Sequence, residues 1–219
     1  MNREGEIDMT ERVLAVSAGL IHPNCAARGR LRRIIEGIPD IQAAWTGDVA
    51  DLAALDGGGY DGVILYFQRK TIDDETLDAL DRFVTGGGGL LAIHSASASF
   101  KEVPRYFDIL GGRFVTHGKI EPFTVRRTDK AAPFFSVTDP FTVTDELYIH
   151  RYDNDVTVHY AAEAPNGPEP VVWTKEYGKG RICYLSLGHR AGIYREEAVR
   201  RIIVEGLLWT LGRERGRVS

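Results

Sequence analysis

The strongest constraint on this chain is the alternation of short apolar runs with amphipathic segments over its first hundred residues. Val13 to Ala18 is apolar and β-branched, as a buried strand requires. Ala26 to Gly37 then places Leu31, Ile34, Ile35 and, just beyond, Ile38 on one helical face. Asp40 to Thr46 reads as a second strand, and Val49 to Leu55 as a short helix with Asp48 as its N-cap. Asp61 to Phe67 is a third strand. Thr71 to Val84 is a helix that Thr71 or Asp73 can cap, with Leu77, Leu80, Phe83 and Val84 as its apolar stripe. Leu90 to Ile93 is a fourth buried strand. This β-α alternation predicts a parallel sheet with right-handed crossovers and helices on both faces. Ligands of such sheets bind outside the carboxyl ends of the strands.

The pattern changes after residue 94. Ser95 to Leu110 is partly helical and broken near Pro104. Residues 111–118 read as a short strand with His117 at its tip. Ile120 to Arg127 and Asp155 to Glu163 alternate, which suits half-exposed antiparallel strands. Pro170 to Lys175 and Gly180 to Leu187 form a hairpin around Tyr177 to Gly180, and Glu196 to Leu211 is a closing helix. Trp45, Trp173 and Trp209 fall inside these elements and are expected in the core. The expected architecture is a three-layer α/β fold, mostly parallel, with an antiparallel C-terminal extension. It forms one domain over residues 1–219, with a core at about 12–212 and frayed ends.

Composition removes several function classes. A net charge of -4 with dispersed basic residues argues against nucleic acid as a partner. The cluster Arg28, Arg30, Arg32 and Arg33 lies on the first helix and reads as a solvated face. No run is long enough to span a membrane, and the polar N-terminus lacks a signal peptide's apolar core, so a cytoplasmic location is expected. The two cysteines, Cys25 and Cys183, make no disulfide scaffold. Cys25 lies in a loop near His22, but nothing fixes a nucleophilic geometry for the pair. Cys183 reads as a buried small hydrophobe.

The stretch Gly86 to Ser97 carries the chemistry. A glycine turn leads into a buried strand, then a sharp turn with His94 at its apex and small residues after it. That is the strand-turn-helix form of a nucleophile elbow, presenting imidazole in place of thiol or hydroxyl. The glycines match neither a dinucleotide fingerprint nor a Walker loop. Four histidines follow strand-like runs: His22, His94, His117 and His189. Those that share the sheet edge can shuttle protons or bind a metal. No compact metal-ligand spacing is present, so a divalent cation such as zinc rests on their convergence alone. Glu146, flanked by Phe141, Val143, Leu147 and Tyr148, is the foremost carboxylate, either a general acid or base or a loop carboxylate capping backbone amides. His150 and His159 lie in alternating strands and read as surface or packing residues.

These pieces together resemble the ThuA-like (trehalose utilisation) proteins. The matching segments are GGGLLAIHSAS (87–97), LGGRFVTH (110–117), DELY (145–148), VVWTKEYGKGR (171–181) and LGH (187–189), followed by the Trp209 helix. The resemblance implies a flavodoxin-like, class I glutamine amidotransferase-like fold. His94 then occupies the elbow where true glutamine amidotransferases carry their cysteine nucleophile, and His189 falls near their histidine. Imidazole cannot replace the thiolate that forms the acyl intermediate, so amidotransferase activity is not expected. The resemblance implies carbohydrate metabolism instead, with trehalose, related disaccharides or their 3-keto derivatives as the substrate class. The chain departs from the family pattern at Arg190, where an acidic residue is expected. It departs again at Ala132-Pro133, where a His-Pro pair is expected. Either change could alter the preferred substrate charge or the sugar.

The combined expectation is an enzyme acting on a disaccharide or keto-sugar by acid/base chemistry. Glu146 or His94 is the base. His117 and His189 stabilise the oxyanion, directly or through a divalent metal. His22, Ser95, Tyr148 and Arg190 bind substrate. A small-molecule carbohydrate is the expected partner, and a homo-oligomer is compatible with the sequence. The alternative is a non-catalytic sugar-binding or regulatory subunit on the same fold.

Overall fold

The computed structural model describes residues 10–19, 23 and 25–213. The expectation for His22, and most of those for the chain ends, falls outside the described residues. The first half follows the alternation read from the sequence. In order come β1 (Glu11–Ala18), α1 (Cys25–Glu36), β2 (Ile41–Thr46), a 3-10 segment (Val49–Gly57), β3 (Gly62–Phe67), α2 (Asp74–Thr85) and β4 (Gly89–Ile93). Asp48 caps the 3-10 segment through the Ala50 amide at 3.0 Å. Asp73, not Thr71, caps α2, accepting from the Thr76 amide at 2.8 Å. A second 3-10 segment (His94–Ala98) follows β4, and α3 (Pro104–Leu110) starts on the proline expected to break the helix.

The second half holds β5 (Gly112–Arg127), β6 (Phe141–Tyr152), β7 (Thr157–Ala164), β8 (Gly167–Tyr177), β9 (Gly180–Leu185), a 3-10 segment (Ala191–Arg195) and α4 (Glu197–Thr210). All nine strands join one sheet in the order β2-β1-β3-β4-β9-β8-β7-β5-β6. Four neighbouring pairs are parallel, from β2 through β9, and four are antiparallel, from β9 through β6. The sheet is therefore mixed, and the mostly parallel expectation is corrected. The physical reason is that the antiparallel strands β5 to β8 continue the same sheet from β9, with Phe141–Tyr152 a full strand and β5 a single 16-residue strand through His117, Gly118 and Pro122 where the sequence suggests two short ones. His117 accordingly sits inside a strand, not at a strand tip.

Alternate residues of each central strand feed two cores. Val13 and Ala15 join α1 and α4 on one face. Leu14 and Val16 join the first 3-10 segment, α2 and α3 on the other. Trp173 is fully buried, whereas Trp45 and Trp209 are half-buried. Gly89 explains the glycine run before β4. A Cβ there would lie 2.6 Å from the Thr210 carbonyl oxygen, so the glycine lets the end of α4 close onto the sheet. Cys25 is the first residue of α1 and exposed, not part of a loop, and Cys183 is buried as expected. Among the described residues no helix is long and apolar enough to cross a membrane.

Candidate active site

β4 and β9 are neighbours in parallel register, with Ile93 opposite Leu185. The residues just past both strands therefore meet at one sheet edge. His94 takes a left-handed backbone conformation, φ 46°, which is uncommon for a residue with a side chain and is the strain an elbow carries. Its Nδ1 donates to the Ser186 carbonyl at 2.7 Å. A carbonyl can only accept, so the proton is on Nδ1 and Nε2 carries the lone pair when the ring is neutral.

The antiparallel arm supplies the carboxylate. β5 pairs with β7 only over Val125 to Arg127, leaving its earlier part with β6. The β5–β6 arm reaches the elbow, where the Tyr148 ring lies 4.1 Å from the His94 ring and 4.4 Å from Phe114. In β5–β6 the register slips between His117, opposite Tyr148, and Ile120, opposite Glu146. A bulge of this kind re-aims a side chain, here His117.

Glu146 is the hub. Its Oε2 lies 3.2 Å from His189 Nδ1 and 3.9 Å from His94 Nε2, and its Oε1 lies 3.8 Å from His117 Nδ1. His117 Nδ1 itself donates to the Gly118 carbonyl at 2.7 Å. Side-chain exposure rises from 0% at His94 through 9% at Glu146 and 17% at His189 to 42% at His117. The cluster is therefore reached from the His117 side. Burial, with His117 and Arg190 nearby, lowers the His189 pKa and favours neutral imidazole.

Asp145 is the functional residue that sequence reading passed over. Its carboxylate accepts from the backbone amides of Gly188 at 2.7 Å, His189 at 3.3 Å and Arg190 at 3.2 Å. It thus ties the loop bearing His189 to β6. Burial raises its pKa to about 6 against the pull of those amides. The available signal was the acidic doublet Asp145-Glu146 in an apolar setting, since neighbouring strand residues face opposite ways. Gly188 fits the same junction. Its φ is 150°, and a Cβ would stand 3.0 Å from His94 Cβ and from Tyr194 Oη.

A second imidazole–carboxylate pair lies behind the elbow. His150 Nδ1 and its backbone amide both meet Glu169 Oε1, at 3.0 and 2.9 Å. His150 Nε2 faces the Tyr184 hydroxyl at 3.1 Å, and that hydroxyl donates to the His94 carbonyl at 2.9 Å. Ser97 Oγ joins Tyr184 at 2.7 Å.

The structure thus brings together His94, Glu146, His189, His117 and Tyr148. Ser95 is fully buried beside them, its Oγ without a partner among the described residues. Arg190 is exposed and held at its backbone by Asp145. The Ala132-Pro133 loop is bound elsewhere, to Arg127 and His159. His159 and His150 are packing residues, both buried rather than at the surface.

Fold and site define an α/β protein with a nine-stranded mixed sheet and a His–Glu cluster at the carboxyl end of its parallel strands. No curated protein matches the sequence. The sequence profile of the ThuA family, described as trehalose utilisation, matches residues 12–210, and the chain belongs to that family. Among solved structures, a ThuA-like protein from Parabacteroides merdae ATCC 43184 superposes with a TM-score of 0.82 at 19% identity, covering 95% of this chain and 93% of that one. A ThuA-like protein from Bacteroides uniformis ATCC 8492 gives 0.79 at 17%, covering 98% and 96%. A cytoplasmic protein from Salmonella typhimurium LT2 gives 0.69 at 11%, covering 91% and 99%.

Proposed function

We propose that this protein is an enzyme of disaccharide metabolism that moves a proton on a keto-sugar of the trehalose type. The observation that carries the reading is Glu146, a carboxylate 91% buried in side-chain terms with three imidazoles within 3.9 Å. Glu146 abstracts the proton from the carbon beside the ketone. The C–H electron pair becomes the C=C bond of an enediol, and the carbonyl oxygen takes a proton from a neighbouring imidazole. Returning the proton to the adjacent carbon gives isomerisation, and loss of a substituent gives elimination. General acid–base catalysis of this kind contributes about 10²–10⁴-fold in rate.

The exposure gradient supports the following division of parts. Glu146, reached past His117 and His189, is the base that touches substrate. His94, fully buried with its ring 4.1 Å from that of Tyr148, orients the cluster. His117 and His189 serve the oxyanion. Tyr148, buried against His94, and the exposed Arg190 bind the substrate. Cys183 is no candidate nucleophile for an acyl-enzyme reaction, because burial pushes its thiol up to about 12. The family description supports the disaccharide class, and the Salmonella neighbour supports a cytoplasmic setting.

The test is incubation of purified protein with 3-keto-disaccharides, with products followed by NMR. Turnover that is lost in Glu146→Ala supports the reading. Wild-type rates in both His94→Ala and Glu146→Ala would refute it. Binding of the unmodified disaccharide without turnover would identify a sugar-binding subunit instead.

A further inference from the structure

We propose that His94 Nε2, Glu146 Oε2 and His189 Nδ1 form a binding site for one divalent transition-metal cation, zinc foremost. These residues come from three separate elements, yet each offers a ligand atom within 4.8 Å of the others. Ligands held at about 2.0–2.2 Å in a tetrahedral arrangement stand about 3.3–3.6 Å apart. The observed separations of 3.2 Å from Glu146 Oε2 to His189 Nδ1 and 3.9 Å to His94 Nε2 bracket that spacing.

Protonation of His94 supplies the second argument. The Ser186 carbonyl fixes its proton on Nδ1, so the Nε2 lone pair is directed toward a carboxylate oxygen. A hydrogen bond from the far ring nitrogen to a backbone carbonyl is also the usual support of a metal-bound imidazole.

The site is built before any ion arrives. Asp145 clamps the backbone at Gly188, His189 and Arg190, and the Tyr148 ring packs against His94 at 4.1 Å. Ligands placed by strand ends and held by a second layer of hydrogen bonds are pre-organised. Two imidazoles and one carboxylate suit zinc or ferrous iron better than magnesium or calcium, which favour all-oxygen sets. The side toward His117 leaves a coordination position for water or a substrate oxygen, as a catalytic zinc site requires. The site shares residues with the proposed reaction but rests on ligand geometry alone.

The experiment strips the full chain with chelator, then titrates zinc by calorimetry and cobalt(II) by visible absorption. The expected result is one equivalent bound, with cobalt bands of a four- or five-coordinate centre. Affinity should be at least about 100-fold weaker in His189→Ala and in the isosteric Glu146→Gln. Absence of saturable binding, or affinity unchanged in both variants, would overturn the site. Keto-sugar turnover by metal-free protein that also fails to bind zinc would sink the metal and leave the reaction standing. One bound equivalent in a protein inert toward keto-sugars would uphold the metal and sink the reaction.

Discussion

Two imidazole–carboxylate pairs lie on either side of the elbow, and they differ in exposure. In the pair behind it, Glu169 Oε1 takes both the His150 amide and Nδ1, His150 Nε2 lies 3.1 Å from the Tyr184 hydroxyl and 3.4 Å from the Ser97 hydroxyl, and both residues of the pair are buried. In the pair before it, Glu146 holds three imidazoles at 3.2–3.9 Å, and one of them is 42% exposed. The same residue types therefore form a buried wall in one place and a partly exposed cluster, the proposed reactive one, in the other. The proposed chemistry needs the cluster that opens to the surface at His117; the buried pair instead reaches, through the Tyr184 hydroxyl, the carbonyl of the elbow.

The largest expected effect that would break this contrast is on rate. Glu146→Gln should lower kcat on a keto-disaccharide by about 10²–10⁴-fold with the fold intact by circular dichroism. Glu169→Gln, assayed per folded molecule, should stay within about tenfold of wild type, since Glu169 touches no substrate. Similar losses in both variants would erase the distinction.

Next comes acid stability. His159 accepts from the Ala132 amide at Nδ1 and donates to Thr174 through Nε2, so its neutral form is fully bonded and burial beside Arg127 lowers its pKa to about 4. The unfolded histidine binds its proton more readily, near 6.5. Stability is therefore whole above about 6.5 and is lost as pH falls toward 4, by about 3 kcal/mol. Burial lowers the His150 pKa in the same direction. Urea denaturation at pH 7 and pH 5 should show the drop, and His159→Gln should flatten it; an unchanged slope would refute the assignment.

Removing the buried pair should cost slightly less. Glu169→Ala leaves the His150 amide and Nδ1 without their acceptor, for about 2–3 kcal/mol of unfolding free energy. A smaller change, about 1–3 kcal/mol, is expected for Gly188→Ala, whose new Cβ would press on His94 at 3.0 Å. That variant sharpens the comparison: its rate should fall further than its stability, because the strain lands on the elbow. Equal rate per folded molecule would mean that the elbow geometry is unimportant.

The parallel half was legible because its signals are local. Periodic apolar stripes, Asp48, Asp73 and the run Leu90 to Ile93 each fix an element by themselves. The antiparallel half was not, because Gly118 and Pro122 interrupt a strand that continues through them, and a bulge shifts its register. Strand alternation shows that His150 and His159 share a pattern with their neighbours, but not which face meets Glu169 or Thr174. His94, His117, His189 and Glu146 could each be singled out by residue type and setting. Asp145 offered only the acidic doublet it forms with Glu146, since its role lies in three amides of a loop more than 40 residues away.

The most direct test of the central claim is solvent deuterium exchange into a 3-keto-disaccharide, followed by NMR for wild type, Glu146→Gln and Glu169→Gln. The account predicts deuterium at the carbon beside the ketone with wild type and Glu169→Gln, and none above background with Glu146→Gln. Undiminished exchange with Glu146→Gln would contradict it.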